Sequence, residues 1–177
     1  MKFYFTIYAL PFPTVVFIVL AASLVWYMLR RHFGKYREFT LFSSVLAAVW
    51  LFLVLLITVF TRSPGESEVV LQPFAQICSV INGGNPETMR TFGMNIFMFV
   101  PCGLVFPALL PGTWDERRRS VITVLLACVP SLGIELCQWY WRLGTAETDD
   151  VIANTFGAAV SCILTAIIAK YADRCRK

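Results

Sequence analysis

Glu135, Gln138 and Arg142 stand three and four residues apart in an otherwise apolar stretch, so a helix there carries all three on one stripe. An ionised carboxylate at the centre of a bilayer costs about 3 kcal/mol, less towards the interface, and such a group turns to protein or to water. Asp150 and Asn154 are likewise one turn apart, and Asn95 lies one turn into another apolar run. Gathered beneath Arg62, these residues make a pocket of carboxylates, amides and a guanidinium. Such a set captures a polar head group by hydrogen bonds, or takes an acid and a base from Glu135 and Asp150. The usual partners of catalysis are missing. The single His, His32, has no partner pattern, and no metal-ligand spacing, phosphate-binding glycine loop or G-x-S-x-G elbow occurs. The sequence therefore assigns no catalytic residue, no metal and no cofactor, and marks Asn95, Glu135, Gln138, Arg142, Asp150 and Asn154 as a binding set. Plainer readings stand beside this one. Asp149 and Asp150 can cap the helix they open and complement its dipole. Asn95 can be interhelical glue, and Arg142 can pair with Glu135 or snorkel to the head groups.

The elements that must position these residues are membrane helices. The 177 residues are 58% hydrophobic and 15% charged, with a mean hydropathy of +0.68. Soluble domains run at about 45–50% and about 25%. This composition excludes an ordinary soluble enzyme, a disordered tail and a small disulfide scaffold. A helix crosses the bilayer with roughly 20 apolar residues, and five stretches qualify: 8–29, 41–60, 92–110, 121–139 and 151–169. The expected fold is all-α, a polytopic bundle of five transmembrane helices. Residues 1–60 hold the first two, 61–169 form a core with three, and 170–177 are a basic cytoplasmic tail. In the first stretch Arg30 and Arg31 follow the apolar run instead of preceding it, which reads as a retained span and not a signal peptide.

Charge sets the orientation. Arg30, Arg31, Lys35, Arg37, Arg117, Arg118, Arg119, Lys170, Arg174, Arg176 and Lys177 fall in one set of loops, and only Lys2, Arg62, Arg90 and Arg142 in the other. The positive-inside rule puts the first set in the cytoplasm, the N-terminus outside and the C-terminus inside. The net charge of +4 is then a topology signal that meets membrane lipids, not a nucleic-acid footprint. Glu66, Glu68, Glu87, Glu147, Asp149 and Asp150 collect outside, with the pocket. Pro101 and Pro130 sit near mid-membrane, each freeing one helical carbonyl, of Phe97 and Leu126, and are expected to kink their helices. Gly157, Ala158 and Ser161 let a neighbouring helix approach closely. Cys102, Cys128 and Cys162 read as small buried hydrophobes. Cys78 and Cys137 share the outer side, where a disulfide between them is one option.

An ordered set of segments carries a resemblance. Leu71-Gln72-Pro73-Phe74 precedes the third span, and Asn95-Ile96-Phe97-Met98-Phe99-Val100-Pro101-Cys102-Gly103 lies within it. Glu135-x-x-Gln138 follows in the fourth, and Asp150-Val151-Ile152-Ala153-Asn154-Thr155-Phe156-Gly157 opens the fifth. Over residues 61–161 this set resembles the VanZ-like family. The resemblance implies a multi-pass protein of the bacterial inner membrane, in a group whose named member is associated with low-level resistance to the glycopeptide teicoplanin. Asn95, Pro101, Glu135, Gln138, Asp150 and Asn154 match the family's recurring polar and Pro sites. Cys102 stands where an apolar residue, often Phe, is usual. Gly144 stands where many relatives carry Arg, with Arg142 two residues away.

Three functions are compatible with these residues. The first is binding of a cell-envelope ligand at the outer pocket: a lipid head group, a peptidoglycan precursor or the glycopeptide itself. The second is a membrane enzyme acting on a lipid-linked substrate such as a polyprenyl phosphate. The third is a small transporter or flippase, for which five short helices would enclose a pathway only as a homo-oligomer.

Overall fold

Apolar runs bounded by Gly, Pro and charged residues become helices because, in lipid, only a helix satisfies its backbone within one segment. The computed structural model describes residues 12–34, 36–83 and 86–174. Helix α1 spans Phe12–Phe33 and keeps Arg30, Arg31 and His32 in its last turn, where cations complement the dipole. Helix α2, Arg37–Leu55, widens into a π-turn at Leu56–Phe60. A two-residue strand β1, Val69–Val70, and a short helix α3, Ala75–Ile81, follow. Helix α4, Pro86–Val105, ends in a 3₁₀ turn at Phe106–Ala108. Helix α5 is Glu116–Tyr140, N-capped by the Asp115 carboxylate, which accepts from the Arg118 amide at 2.7 Å. Strand β2, Ala146–Glu147, leads directly into helix α6, Thr148–Arg174.

Among the described residues, four helices are long and apolar enough to cross a membrane: Arg37–Phe60, Glu87–Ala108, Glu116–Tyr140 and Thr148–Tyr171. They contain the stretches expected at 41–60, 121–139 and 151–169 and all but the last two residues of 92–110. Each begins three to five residues earlier than its apolar stretch, because a helix keeps its hydrogen bonds through the polar interface. The fifth expected span, 8–29, begins outside the described residues, and α1 is not one of the four. Lys2 and residues 175–177, on which part of the topology reading rests, also lie outside them.

Helix α6 is the centre of the bundle, laid along α4 and flanked by α5. A Cβ at Gly103 would overlap the Ala158 carbonyl and the Ser161 hydroxyl, and one at Gly157 would overlap the Ile96 carbonyl. The two backbones thus touch, as the small residues of α6 led one to expect. In lipid this close packing, with hydrogen bonds, replaces the hydrophobic drive of a soluble core. Pro101 and Pro130 lie inside α4 and α5, whose helical pattern runs unbroken through both. Close to Pro101 the Trp50 indole donates to the Met98 carbonyl at 2.7 Å. The Trp50 ring stands edge-on to Phe99 at 5.2 Å and to Phe106 at 5.5 Å. Trp50→Phe keeps most of the ring contacts and loses only the N–H. It should lower unfolding stability by about 1 kcal/mol, seen as a shifted midpoint in denaturant titration of the purified protein. An unchanged midpoint would assign the anchoring to the ring alone.

One end of the bundle is rich in basic residues and the other in acidic ones. At the basic end Arg30 forms a two-pronged pair with Glu116, at 2.8 and 3.0 Å, which joins the end of α1 to the start of α5. Arg119 adds a 3.2 Å contact to the same carboxylate, and Arg118 lies over the Trp114 ring at 4.2 Å. The acidic end holds the other cluster of polar side chains.

Candidate functional site at the acidic end

Helix α5 turns Ser131, Glu135 and Gln138 inward on one stripe, all buried, while Leu132, Leu136 and Trp139 on its other side are exposed. The first turns of α6 bring Asp149, Asp150 and Asn154 against them, and α4 contributes Asn95. Asn154 Nδ2 donates to Ser131 Oγ at 2.9 Å, tying α6 to α5 one layer below Glu135. Gln138 Nε2 donates at 3.2 Å to the carbonyl of Thr58, inside the π-turn that ends α2. Glu135 Oε2 accepts the Glu147 amide at 2.9 Å, so a mid-helix carboxylate fixes the backbone just before α6.

The segment between α2 and α4 folds back over this cluster. Strands β1 and β2 pair in parallel, Val69 with Ala146 and Val70 with Glu147. Bonds from the Ala146 amide to the Glu68 carbonyl (2.9 Å) and from the Gly65 amide to the Arg142 carbonyl (2.7 Å) extend the ribbon. Asp149 closes it. Its two carboxylate oxygens accept the amides of Phe74 and Gln76, the latter at 2.6 Å. Asp149, for which capping of its own helix was one reading, thus holds the entrance to α3. Phe74 has a φ of 64°, the left-handed region that a bulky residue adopts only when its surroundings impose it.

Gln76 is the central residue that sequence reasoning did not mark. Its Nε2 donates to Glu147 at 2.6 Å and to Asp150 at 3.1 Å, bridging two carboxylates. The quoted Leu71–Phe74 segment stops two residues short of it, and a seven-residue helix is too short to show a burial period. Glu147 was read only as an outer charge, and it lines the site.

The expected binding set is brought together except at Arg142. Helix α5 ends in a Schellman motif, in which the Arg142 amide bonds to the Trp139 carbonyl (3.2 Å) and the Leu143 amide to the Gln138 carbonyl (2.8 Å). Arg142 occupies the left-handed position of that motif, with φ 54°, and its side chain is exposed. Among the described residues it makes no ion pair with Glu135. Arg62 stands near both Glu135 and Asp150 but, among the described residues, forms no ion pair with either; its Nη1 lies 3.5 Å from the Leu143 carbonyl. Gly144 faces this guanidinium: a Cβ there would meet Arg62 Nη1 at 2.9 Å. With a φ of 145°, Gly144 also suits glycine.

Three buried amides of this end of the bundle carry unpaired atoms. Among the described residues Gln76 Oε1, Asn95 Nδ2 and Asn154 Oδ1 complete no hydrogen bond, although Asn95 reaches towards Asp150. A buried polar atom without a partner costs about 1–3 kcal/mol, a cost that a water or a ligand group reaching it would recover. Also among the described residues, no three acidic, His or Cys groups converge as a metal site requires. Beside the cluster runs a groove of about 310 Å³ between α5, the start of α6 and the ribbon, with Glu135 and Glu147 in its lining. Cys78 and Cys137 are both free thiols, so the optional disulfide is not formed.

Residues 14–169 match the VanZ/LLP1 family. The chain belongs to that family. The match covers most of the sequence, and the resemblance read from Asn95, Pro101, Glu135, Asp150 and Asn154 is borne out. No curated protein and no solved structure matches the chain. Family membership and four apolar helices together make this VanZ/LLP1 protein a membrane protein.

Proposed function

We propose that this VanZ/LLP1 protein binds the polar part of a cell-envelope or glycopeptide ligand in the acidic-end pocket, on the outer face of a bacterial inner membrane, and so contributes to teicoplanin resistance. The observation that carries the reading is the gathering of buried amides and carboxylates at one end of the bundle, where Gln76 bridges Glu147 and Asp150 and keeps an unpaired acceptor, Oε1. Such groups recognise a ligand rich in hydrogen-bond donors and acceptors. The outward orientation follows from the loop charges. Arg30, Arg117, Arg118 and Arg119 gather at the end opposite the pocket, and the positive-inside rule places that end in the cytoplasm. Bound ligand at the membrane surface would lower the antibiotic's access to its target. Teicoplanin, which carries an acyl tail and partitions to membrane, should be affected more than vancomycin.

Cells carrying the wild-type gene should tolerate more teicoplanin than cells without it, with little change for vancomycin. Glu135→Gln and Asp150→Asn keep side-chain shape and remove one charged hydrogen-bond acceptor, worth roughly tenfold in binding. Each should return teicoplanin tolerance towards the empty-vector level while immunoblots show unchanged abundance. Full protection by both variants would refute the reading.

A further inference from the structure

The groove beside the polar cluster is lined mostly by apolar side chains. Leu132, Leu136 and Trp139 of α5 line one side, and all three are more than half exposed, at 51%, 61% and 52%. They belong to the face of α5 that the bundle leaves to lipid. Val69 and Val151 close the other side. Within this apolar trough the charged residues of the lining are both acidic, Glu135 and Glu147. Glu135 spends one oxygen on the Glu147 amide, and Glu147 spends one on Gln76. Among the described residues neither makes an ion pair, and Arg62 is not in the lining. Carboxylates set in a hydrocarbon-lined trough are complementary to a cation on a hydrocarbon chain. Behind the lining, Gln76 donates its amide nitrogen to both Glu147 and Asp150, which holds the Glu147 carboxylate in place. An ammonium group offers three donors to such acceptors.

We infer that this groove takes the chain of an amphiphile whose head is a primary ammonium group, which enters sideways from the lipid and sets its head against Glu135 and Glu147. The volume of about 310 Å³ suits one chain segment and not a folded multi-chain lipid. The inference deepens the binding reading of the pocket and rests on it, since it names the ligand chemistry that its acidic side accepts.

The test uses the full chain in phosphatidylcholine nanodiscs and three photoactivatable probes of equal length: a long-chain primary amine, the matched alcohol and the matched carboxylic acid, each with a diazirine in mid-chain. Cross-links mapped by mass spectrometry should fall on Leu132, Leu136, Trp139 and Val151, with the amine labelling roughly tenfold more than the acid. Glu135→Gln should abolish the preference for amine over acid and leave the chain cross-links in place. Leu136→Trp should fill the trough and move the labelling elsewhere, and Leu132→Phe provides the same block if the first variant is not recovered as a monodisperse protein. Equal labelling by amine and acid would overturn the head-group assignment. Labelling spread evenly over the exposed faces, including Leu51 and Phe52 of α2, and indifferent to both blocking variants would overturn the groove. Neither outcome depends on antibiotic susceptibility, so a failure of the resistance reading is separately visible.

Discussion

Asp149→Ala should destabilise the protein by about 4 kcal/mol, the largest loss expected from any single side chain at the acidic end. Asp149 is 2% exposed, and its carboxylate accepts two backbone amides, of Phe74 and Gln76, from a segment far away in sequence. Truncation leaves both donors buried without partners. It also releases Phe74 from its left-handed φ of 64°, a conformation that nothing local favours in a bulky residue. The consequence extends to function, because Gln76 keeps its place between Glu147 and Asp150 only while α3 starts where Asp149 holds it. Hydrogen exchange should show the Phe74 and Gln76 amides losing protection first, with the β1–β2 ribbon following. Asp149→Asn, which retains one acceptor oxygen, should fall between wild type and alanine. If Asp149→Ala unfolds within about 1 kcal/mol of wild type and the two amides stay protected, the clamp is not what holds the ribbon.

The second large effect concerns the seam between α4 and α6. Gly157→Ala places a methyl group on the Ile96 carbonyl, and Gly103→Ala places one on the Ala158 carbonyl. The obstacle in each case is backbone, which cannot rotate aside, so the helices must separate. Forced overpacking of this kind costs about 3 kcal/mol. In lipid the separation also forfeits the close contact that associates the helices. Asn95, one residue before Ile96, and Asn154, one turn before Ala158, would move with their helices, so ligand binding should weaken along with stability. Gly133→Ala is the control. It sits in the middle of α5 with open space around its would-be Cβ, and there alanine should gain up to about 1 kcal/mol from helix propensity. Thermal unfolding of the three variants in detergent should therefore move two midpoints down and leave one level or raised. A loss at Gly133 as large as at Gly157 would mean that glycine flexibility, not close approach, is what the fold requires.

The sequence and the structure agree where local physics decides and part where it does not. Helices Arg37–Phe60, Glu116–Tyr140 and Thr148–Tyr171 lie where hydropathy placed them, because every backbone group in lipid has to be satisfied within its own segment. Glu135, Gln138, Asp150 and Asn154 were legible as a set because i, i+3 and i+4 spacing fixes a shared helix face before any neighbour is known. Asn95 joins them in space, and the stripe of Gly157, Ala158 and Ser161 does meet another backbone.

Arg142 shows the limit of such reasoning. Its spacing from Glu135 and Gln138 is helical, but α5 ends at Tyr140 and a Schellman turn takes over, so the periodicity no longer applies where Arg142 stands. The cation that stands near Glu135 is Arg62, from a segment roughly eighty residues earlier in the chain. Gln76 and the true partners of Asp149 were hidden for the same reason: one lies in a helix too short to have a period, and the others are backbone amides whose availability depends on a left-handed turn. Sequence alone determined the membrane class, the positions of four apolar helices, the family and the inward stripes of α5 and α6, since each is a property of composition or of neighbours along one helix. Tertiary structure alone decided which cation stands near the carboxylates, which backbone amides Asp149 holds and which residues line the groove beside them, since each depends on how a non-helical segment folds back over helices distant in sequence.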